Sequence, residues 1–192
     1  MNIDGFFDSE FDEHEAVAKA ARLGLRAPFA LLLDRCTATI RNRGKIVFFG
    51  NGGSAADSQH LATELTIRYT VDRAPIAAIS LTTDTSALTA AGNDLGFDQL
   101  FSRQVEALCK PEDTVIGIST SGNSSNILNG LKAARVIGCT AAGFGGRDGG
   151  LMKDIADPCL IVPSDTTARI QEMHIILGHM LCGALETELE LV

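Results

Sequence analysis

Asp57, His60 and Glu64 lie within eight positions of one another, and Gln171, Glu172, His174 and His179 interrupt an otherwise apolar run near the C-terminus. Positions i and i+4 share one face of a helix, so a helix over residues 55–68 turns His60 and Glu64 the same way, with Asp57 one turn earlier. Together, His60, Glu64, Gln171 and His179 offer two imidazoles, a carboxylate and an amide oxygen. Imidazoles and a carboxylate suit Zn²⁺, whereas the amide is a less usual ligand. The same groups supply a carboxylate base and an imidazole acid, the pair needed to move a proton beside a carbonyl. Each also has a plainer reading. A solvated polar face accounts for His60 and Glu64, and a buried, hydrogen-bonded core histidine accounts for His179 between Gly178 and Met180.

Two further segments offer polar groups to a ligand. The first is Gly50-Asn51-Gly52-Gly53-Ser54-Ala55-Ala56-Asp57, and the second is Ser119-Thr120-Ser121-Gly122-Asn123-Ser124. Each follows an apolar run that reads as a strand and opens a segment that reads as a helix. Hydroxyls and N–H groups at a helix start form a neutral cradle for phosphate oxygens. Helix capping is the simpler use of the same Ser and Thr residues, but two such loops in one chain favour a ligand site. Nucleotide fingerprints fit badly. No Lys follows Gly53 as a P-loop requires, and Asp72 falls before the second strand, where a ribose-binding acid is misplaced.

The elements that must position these groups follow a βα rhythm. Short apolar runs at 45–49, 76–81, 114–119, 139–144 and 160–162 read as strands buried on both faces of a parallel sheet. Helical segments lie between them at 55–68, 85–91, 98–108, 126–137 and 151–154, and a long last helix covers 167–189. Two helices over 9–23 and 29–43 precede the first strand. They read as a hairpin that packs against its own domain or a partner subunit. The whole is predicted as one domain over residues 1–192, with the hairpin at 1–43 and an α/β core at 44–192. Ligands of such sheets bind outside the carboxyl ends of the strands, where both polar loops fall.

Composition narrows the function. The chain has 192 residues, 16 Lys plus Arg against 24 Asp plus Glu, and a net charge of −8. Nucleic-acid binding through a basic surface is disfavoured, because phosphate neutralisation needs clustered cations. The acidic N-terminus is unlike a secretory signal, and no apolar run is long enough to span a membrane. Five scattered cysteines without a CxxC pair read as reduced core thiols of a cytoplasmic protein.

The loop sequences, followed by Glu64, Leu81-Thr82-Thr83-Asp84, Gly92-Asn93-Asp94, and Arg169-Ile170-Gln171-Glu172 with His174 and His179, resemble the sedoheptulose 7-phosphate isomerases of the sugar-isomerase (SIS) domain superfamily. The match runs in order from about Arg43 to Glu186; the hairpin resembles the family in layout. The resemblance implies an α/β/α sandwich around a five-stranded parallel doubly wound sheet, assembled as a homotetramer with active sites at subunit interfaces. It implies conversion of sedoheptulose 7-phosphate to D-glycero-D-manno-heptose 7-phosphate, the first step toward nucleotide-activated heptose for lipopolysaccharide or related glycans. Ser119, Thr120, Ser121 and Ser124 would hold the phosphate. Asn51, Gly52, Gly53, Ser54, Asn93 and Asp94 would line the sugar site, with Glu64 and Gln171 also meeting the substrate. Glu64 would take the C1 proton and His179 would assist its transfer. One zinc per subunit would be held by His60, Glu64, Gln171 and His179. Arg68 and Arg169 are further phosphate candidates, with ion pairing as their plainer role. Two rival readings share the fold: a non-catalytic platform that associates with a replication initiator, and an isomerase of another phosphosugar. The platform branch lacks a carboxylate and an imidazole at the positions of Glu64 and His179, and this chain has both.

Overall fold

The computed structural model describes residues 1–192. Its chain starts with α1 (Ile3–Gly24), capped by the Asn2 side chain, which accepts from the Gly5 N–H, and α2 (Arg26–Arg41). The first helix begins six residues earlier than its polar stripe predicts, because Asn2 supplies a cap. Pro28 falls in the first turn of α2, where its missing N–H leaves no bond unmade. The C-terminal half of α1 buries Val17 and Ala21, while Ile3, Phe6, Phe7 and Phe11 near its start remain exposed.

The core then runs β1 (Ile46–Gly50), α3 (Gly53–Thr66), β2 (Ala78–Ser80), α4 (Thr85–Asp94), α5 (Leu100–Leu108), β3 (Thr114–Ile118), α6 (Ser125–Ile137), β4 (Thr140–Gly146), β5 (Cys159–Val162) and α7 (Thr167–Glu188). All strand pairs are parallel, in the order β2-β1-β3-β4-β5. Alternate residues of β1 feed opposite faces, as the two-residue period of a strand requires. Ile46 and Phe48 pack with Leu32, Leu61 and Leu177 under α2, α3 and α7, whereas Val47 and Phe49 pack with Phe101, Val105 and Leu131 under α5 and α6. The result is a three-layer α/β/α sandwich with the hairpin on the α3–α7 side.

Two expected elements are smaller than predicted. The second strand pairs only over Ala78–Ser80, at the sheet edge, although Leu81 N–H still reaches the Phe48 carbonyl. The segment 151–154 forms a 3-10 turn at Met152–Asp154, confined between two left-handed glycines, Gly149 and Gly150, and Pro158. The chain leaves β1 toward β2 and returns on the other side as β3, so the order in which strands are added reverses between β1 and β3. Gly50 stands opposite Ile118 at that point, and the two polar loops emerge side by side.

Candidate active site

The β1–α3 loop turns at Gly52, whose φ of +57° is open to glycine but strained for other residues. Asn51 then reaches the second loop. Its amide and that of Asn126 on α6 exchange two hydrogen bonds, both 2.9 Å long. This reciprocal pair ties the loops together, and Asn126 is 2% exposed. Its type and position at a helix start gave no sign of this role in the sequence, because the partner lies 75 residues away.

In the second loop, Ser119 Oγ accepts from the Gly122 N–H and lies 3.5 Å from Ser124 Oγ. Ser121 Oγ accepts from the Asn123 N–H. Ser124 occupies the N-cap position of α6 yet makes no side-chain capping bond, so its hydroxyl is not consumed by the helix. Ser119 is buried, and Thr120, Ser121 and Ser124 are half-buried, which leaves a lightly sheltered row of hydroxyls above a helix start.

α3 and α7 run beside each other from the first loop. A Cβ on Gly53 would stand 2.5 Å from Gln171 Nε2, which places that amide against the loop backbone. Ser54, next to it, is buried. One level further, a Cβ on Gly178 would lie 2.5 Å from the Leu61 side chain, so glycine permits the close approach of the two helices. The neighbouring residues profit from this contact. His60 Nε2 and His179 Nε2 lie 2.7 Å apart, and Glu64 Oε1 is 3.6 Å from His60 Nε2. Two nitrogens at hydrogen-bond distance need one proton between them, so one ring donates and the other accepts. Tyr69 stacks on His179 at a centroid distance of 5.6 Å, a neighbour that sequence spacing did not reveal. His179 is half-buried rather than enclosed in the core.

Asp57 completes this group. Burial raises its carboxyl above the usual carboxylate range, while His60 and His179 pull it down. Its Oδ2 is buried without a hydrogen-bond partner, an acceptor held open beside two imidazoles. His174, five residues before His179, is fully buried instead. Its Nε2–H donates to the Gly145 carbonyl at 2.9 Å, and burial lowers its pKa to about 4. It is a neutral core histidine.

The remaining candidates lie apart from the imidazoles within this chain. Asn93 donates to Asp94 at the end of α4, and Asp94 lines a cavity of about 510 Å³ along β2, with Asp84 and Arg103 but no residue of α3 or α7. Arg68 is exposed and pairs with Asp72 at 3.6 Å. Arg169 is buried and engages Glu10 and Glu172, joining α1 to α7. Both arginines therefore have the ion-pairing role that the sequence left open.

Comparison with known proteins agrees with this layout. The family model for the SIS domain matches residues 11–146. A phosphoheptose isomerase of Paramagnetospirillum magneticum is 54% identical over 186 residues, covering 97% of each chain. The chain belongs to the phosphoheptose isomerase family. Among solved structures, the phosphoheptose isomerase of Neisseria gonorrhoeae superposes with a TM-score of 0.91 at 42% identity, covering 97% of this chain and 100% of its own. That of Francisella tularensis gives 0.94 at 32% identity with the same coverage. The SIS match stops before β5 and α7, whereas the phosphoheptose isomerases align across nearly the whole chain and so span Gln171 and His179.

Zinc binding can be tested against these side chains. Two imidazole nitrogens and a carboxylate oxygen are donor types that zinc takes. As placed, no three His, Cys, Asp or Glu side chains form a metal-holding group. Tetrahedral ligands at ordinary zinc–nitrogen lengths lie about 3.3 Å apart, so the 2.7 Å pair must open by a fraction of an ångström. The His60 side chain is 45% exposed and has room to move. The orphaned Asp57 oxygen gives the cluster an unspent acceptor. The donor types suit zinc, and holding it would require these side chains to rearrange.

Proposed function

We propose that this chain is a phosphoheptose isomerase that converts sedoheptulose 7-phosphate to D-glycero-D-manno-heptose 7-phosphate through an enediol(ate). The reading rests most on one observation: His60 and His179 meet at 2.7 Å on α3 and α7, with Glu64 one turn along. Family membership supplies the phosphosugar and the isomerisation.

In this scheme the Ser119, Thr120, Ser121 and Ser124 hydroxyls hold the phosphate. Asn51, Gly52, Gly53, Ser54 and Gln171 position the sugar, with Asn93 and Asp94 assigned to the same site. Glu64 removes the proton from C1, the electron pair forms the C1=C2 bond, and the carbonyl π pair moves to O2, which takes up a proton. Reprotonation at C2, with loss of the O1 proton, gives the aldose. The proton held between the imidazoles suits His179 to assist transfer at oxygen. His60, Glu64, Gln171 and His179 would hold one zinc per subunit. When bound, zinc supplies a Lewis acid for the carbonyl and enediolate oxygens. Glu64 would then serve as base through an oxygen free of the metal.

The same proposal includes a homotetramer with sites at subunit interfaces. Phe6, Phe7 and Phe11 stand exposed on α1, and Phe29, Ile176 and Met180 line an open groove that includes His179. These apolar surfaces suit contact with other copies. A cytoplasmic location is consistent with five unpaired cysteines, and no helix is long and apolar enough to cross a membrane. The product would enter nucleotide-activated heptose synthesis for lipopolysaccharide or related glycans.

The test is incubation with sedoheptulose 7-phosphate in D₂O, with NMR detection of the aldose. Deuterium at C2 is the expected result. Folded protein that yields no aldose, with or without zinc, would replace this reading by the binding platform or an isomerase of another phosphosugar.

A further inference from the structure

A buried ion pair holds the segment between α3 and β2. Arg73 Nε donates to Glu186 Oε1 at 2.8 Å, and the two side chains are 0% and 1% exposed. Taking both charges out of water carries a desolvation cost that their attraction need not offset, so the pair is not accounted for by stability alone.

Each partner reaches a different part of the imidazole cluster. Arg73 Nη2 donates to the Glu64 carbonyl at 2.8 Å, and Nη1 donates to the Leu65 carbonyl at 2.7 Å. Both carbonyls lie in the last turn of α3, where no later helical N–H is available to them. The guanidinium therefore caps the turn that carries Glu64. On α7, Glu186 Oε1 accepts from the Tyr69 N–H at 3.3 Å, and Oε2 accepts from the Thr70 hydroxyl at 3.1 Å. These bonds fix where Tyr69 leaves the backbone. Its ring then lies along α7, stacked on His179 at 5.6 Å between centroids. A Cβ on Gly183, one turn after His179, would stand 3.2 Å from that ring, so the small residue gives it a seat.

We propose that Arg73 and Glu186 are positioning residues for the isomerisation. They act through the α3 terminus and the Tyr69 ring to hold Glu64 and His179 in register. The inference rests on the roles given above to those two residues. Both charged side chains are closed to solvent, so they act through their neighbours and not on the sugar. Proton transfer depends steeply on placement, and a misplacement of about 1 Å caused far from the chemistry can cost about 10²-fold in rate.

The test compares Glu186→Ala with Glu186→Gln in the full chain. Both leave the buried Arg73 charge unpaired, so both should lower the midpoint of urea unfolding. Only alanine removes the acceptors. The glutamine oxygen can still accept from Arg73 and Tyr69, and its amide can donate to Thr70. With sedoheptulose 7-phosphate, Glu186→Ala should lose about 10²-fold in kcat with KM changed by no more than about twofold, and Glu186→Gln should recover most of that loss. Ring NMR signals of the four histidines read the same geometry without turnover. In Glu186→Ala the His179 signal should move, while those of His14 and His174 stay. If Glu186→Ala fails to fold, Arg73→Lys carries the test. It keeps the charge, but one ammonium cannot span two α3 carbonyls and Glu186, so kcat should fall about tenfold. Wild-type kcat in folded Glu186→Ala or Arg73→Lys, equal kcat losses in the alanine and glutamine variants, or an unmoved His179 signal would overturn the proposal. Absence of aldose from the wild type would instead end the isomerase reading, and the His179 signal would then decide alone whether the ion pair holds that ring.

Discussion

Asp113 and Asp57 occupy opposite ends of the structure, and their hydrogen bonding differs. Asp113, at the amino end, is 2% exposed and fully engaged. It accepts from the Lys45 and Lys110 backbone N–H groups, each at 2.8 Å, and from the Lys45 ammonium. Nearby, the Thr39 and Thr114 hydroxyls meet at 2.7 Å. Asp57 retains a buried oxygen with no donor, and Ser124 leaves the start of α6 without a side-chain cap. A carboxylate satisfied by its own chain holds the fold together. One left open in a folded protein retains capacity for a substrate or metal.

The sharpest way to break this contrast is Glu64→Gln, which keeps shape and removes the proposed base. Turnover should fall by about 10³-fold, within the range of lost general-base catalysis. The midpoint of thermal unfolding should not move, because Glu64 contributes no fully buried ion pair. Steady-state kinetics with sedoheptulose 7-phosphate and a melting curve together check it. Wild-type turnover in the variant would remove Glu64 from the base role.

The two aspartates provide the next test. Asp113→Asn should lose stability by about 3 kcal/mol, since hydrogen bonds to a charged acceptor become weaker or are broken. Its turnover per folded molecule should persist. Asp57→Asn should do the reverse. Burial raises the Asp57 pKa, so its ionised form burdens the folded state at neutral pH, and that burden disappears as pH falls through the folded pKa. The neutral amide should therefore leave stability unchanged or improved while turnover drops. Urea unfolding at neutral pH and initial rates decide both halves. Equal losses of stability would end the distinction between the two ends.

The sequence revealed the ends of this molecule unequally. Apolar runs announced every strand, most plainly β1 and β3, which are buried along their whole length. The His60–Glu64 face followed from helical spacing alone. The meeting of His60 with His179 did not, since it depends on Gly178 yielding space to Leu61 across two helices. The pairing of Asn51 with Asn126 was hidden for the same reason. Their partners are set by the parallel order of the sheet, which local pattern does not encode. The helical segment predicted at 151–154 is reduced to a single 3-10 turn at Met152–Asp154, just after the left-handed Gly149 and Gly150.

Two histidines on α7 sharpen the comparison further. His174 is enclosed and His179 is open, five positions apart. The folded pKa of His174, lowered by burial to about 4 from 6.5, means that its neutral form is favoured in the folded state. Its contribution is fully present above about pH 6.5 and is lost as pH falls toward about 4. The loss should reach roughly 3 kcal/mol at most. Urea unfolding across that interval should show a shallower acid slope in His174→Phe than in the wild type. Identical slopes would contradict a neutral buried imidazole.

The smallest effect is expected at Ser124. A capping serine replaced by alanine weakens its helix by about 1 kcal/mol. Ser124 makes no side-chain capping bond, so Ser124→Ala should leave unfolding unchanged. A hydroxyl used for phosphate should instead appear in substrate binding, with KM raised about tenfold and kcat nearly constant, the pattern of an interaction equal in ground and transition states. Direct titration with inorganic phosphate separates binding from the kinetic meaning of KM. Lost stability with unchanged phosphate affinity would return Ser124 to the helix and leave the phosphate to its neighbours in the loop.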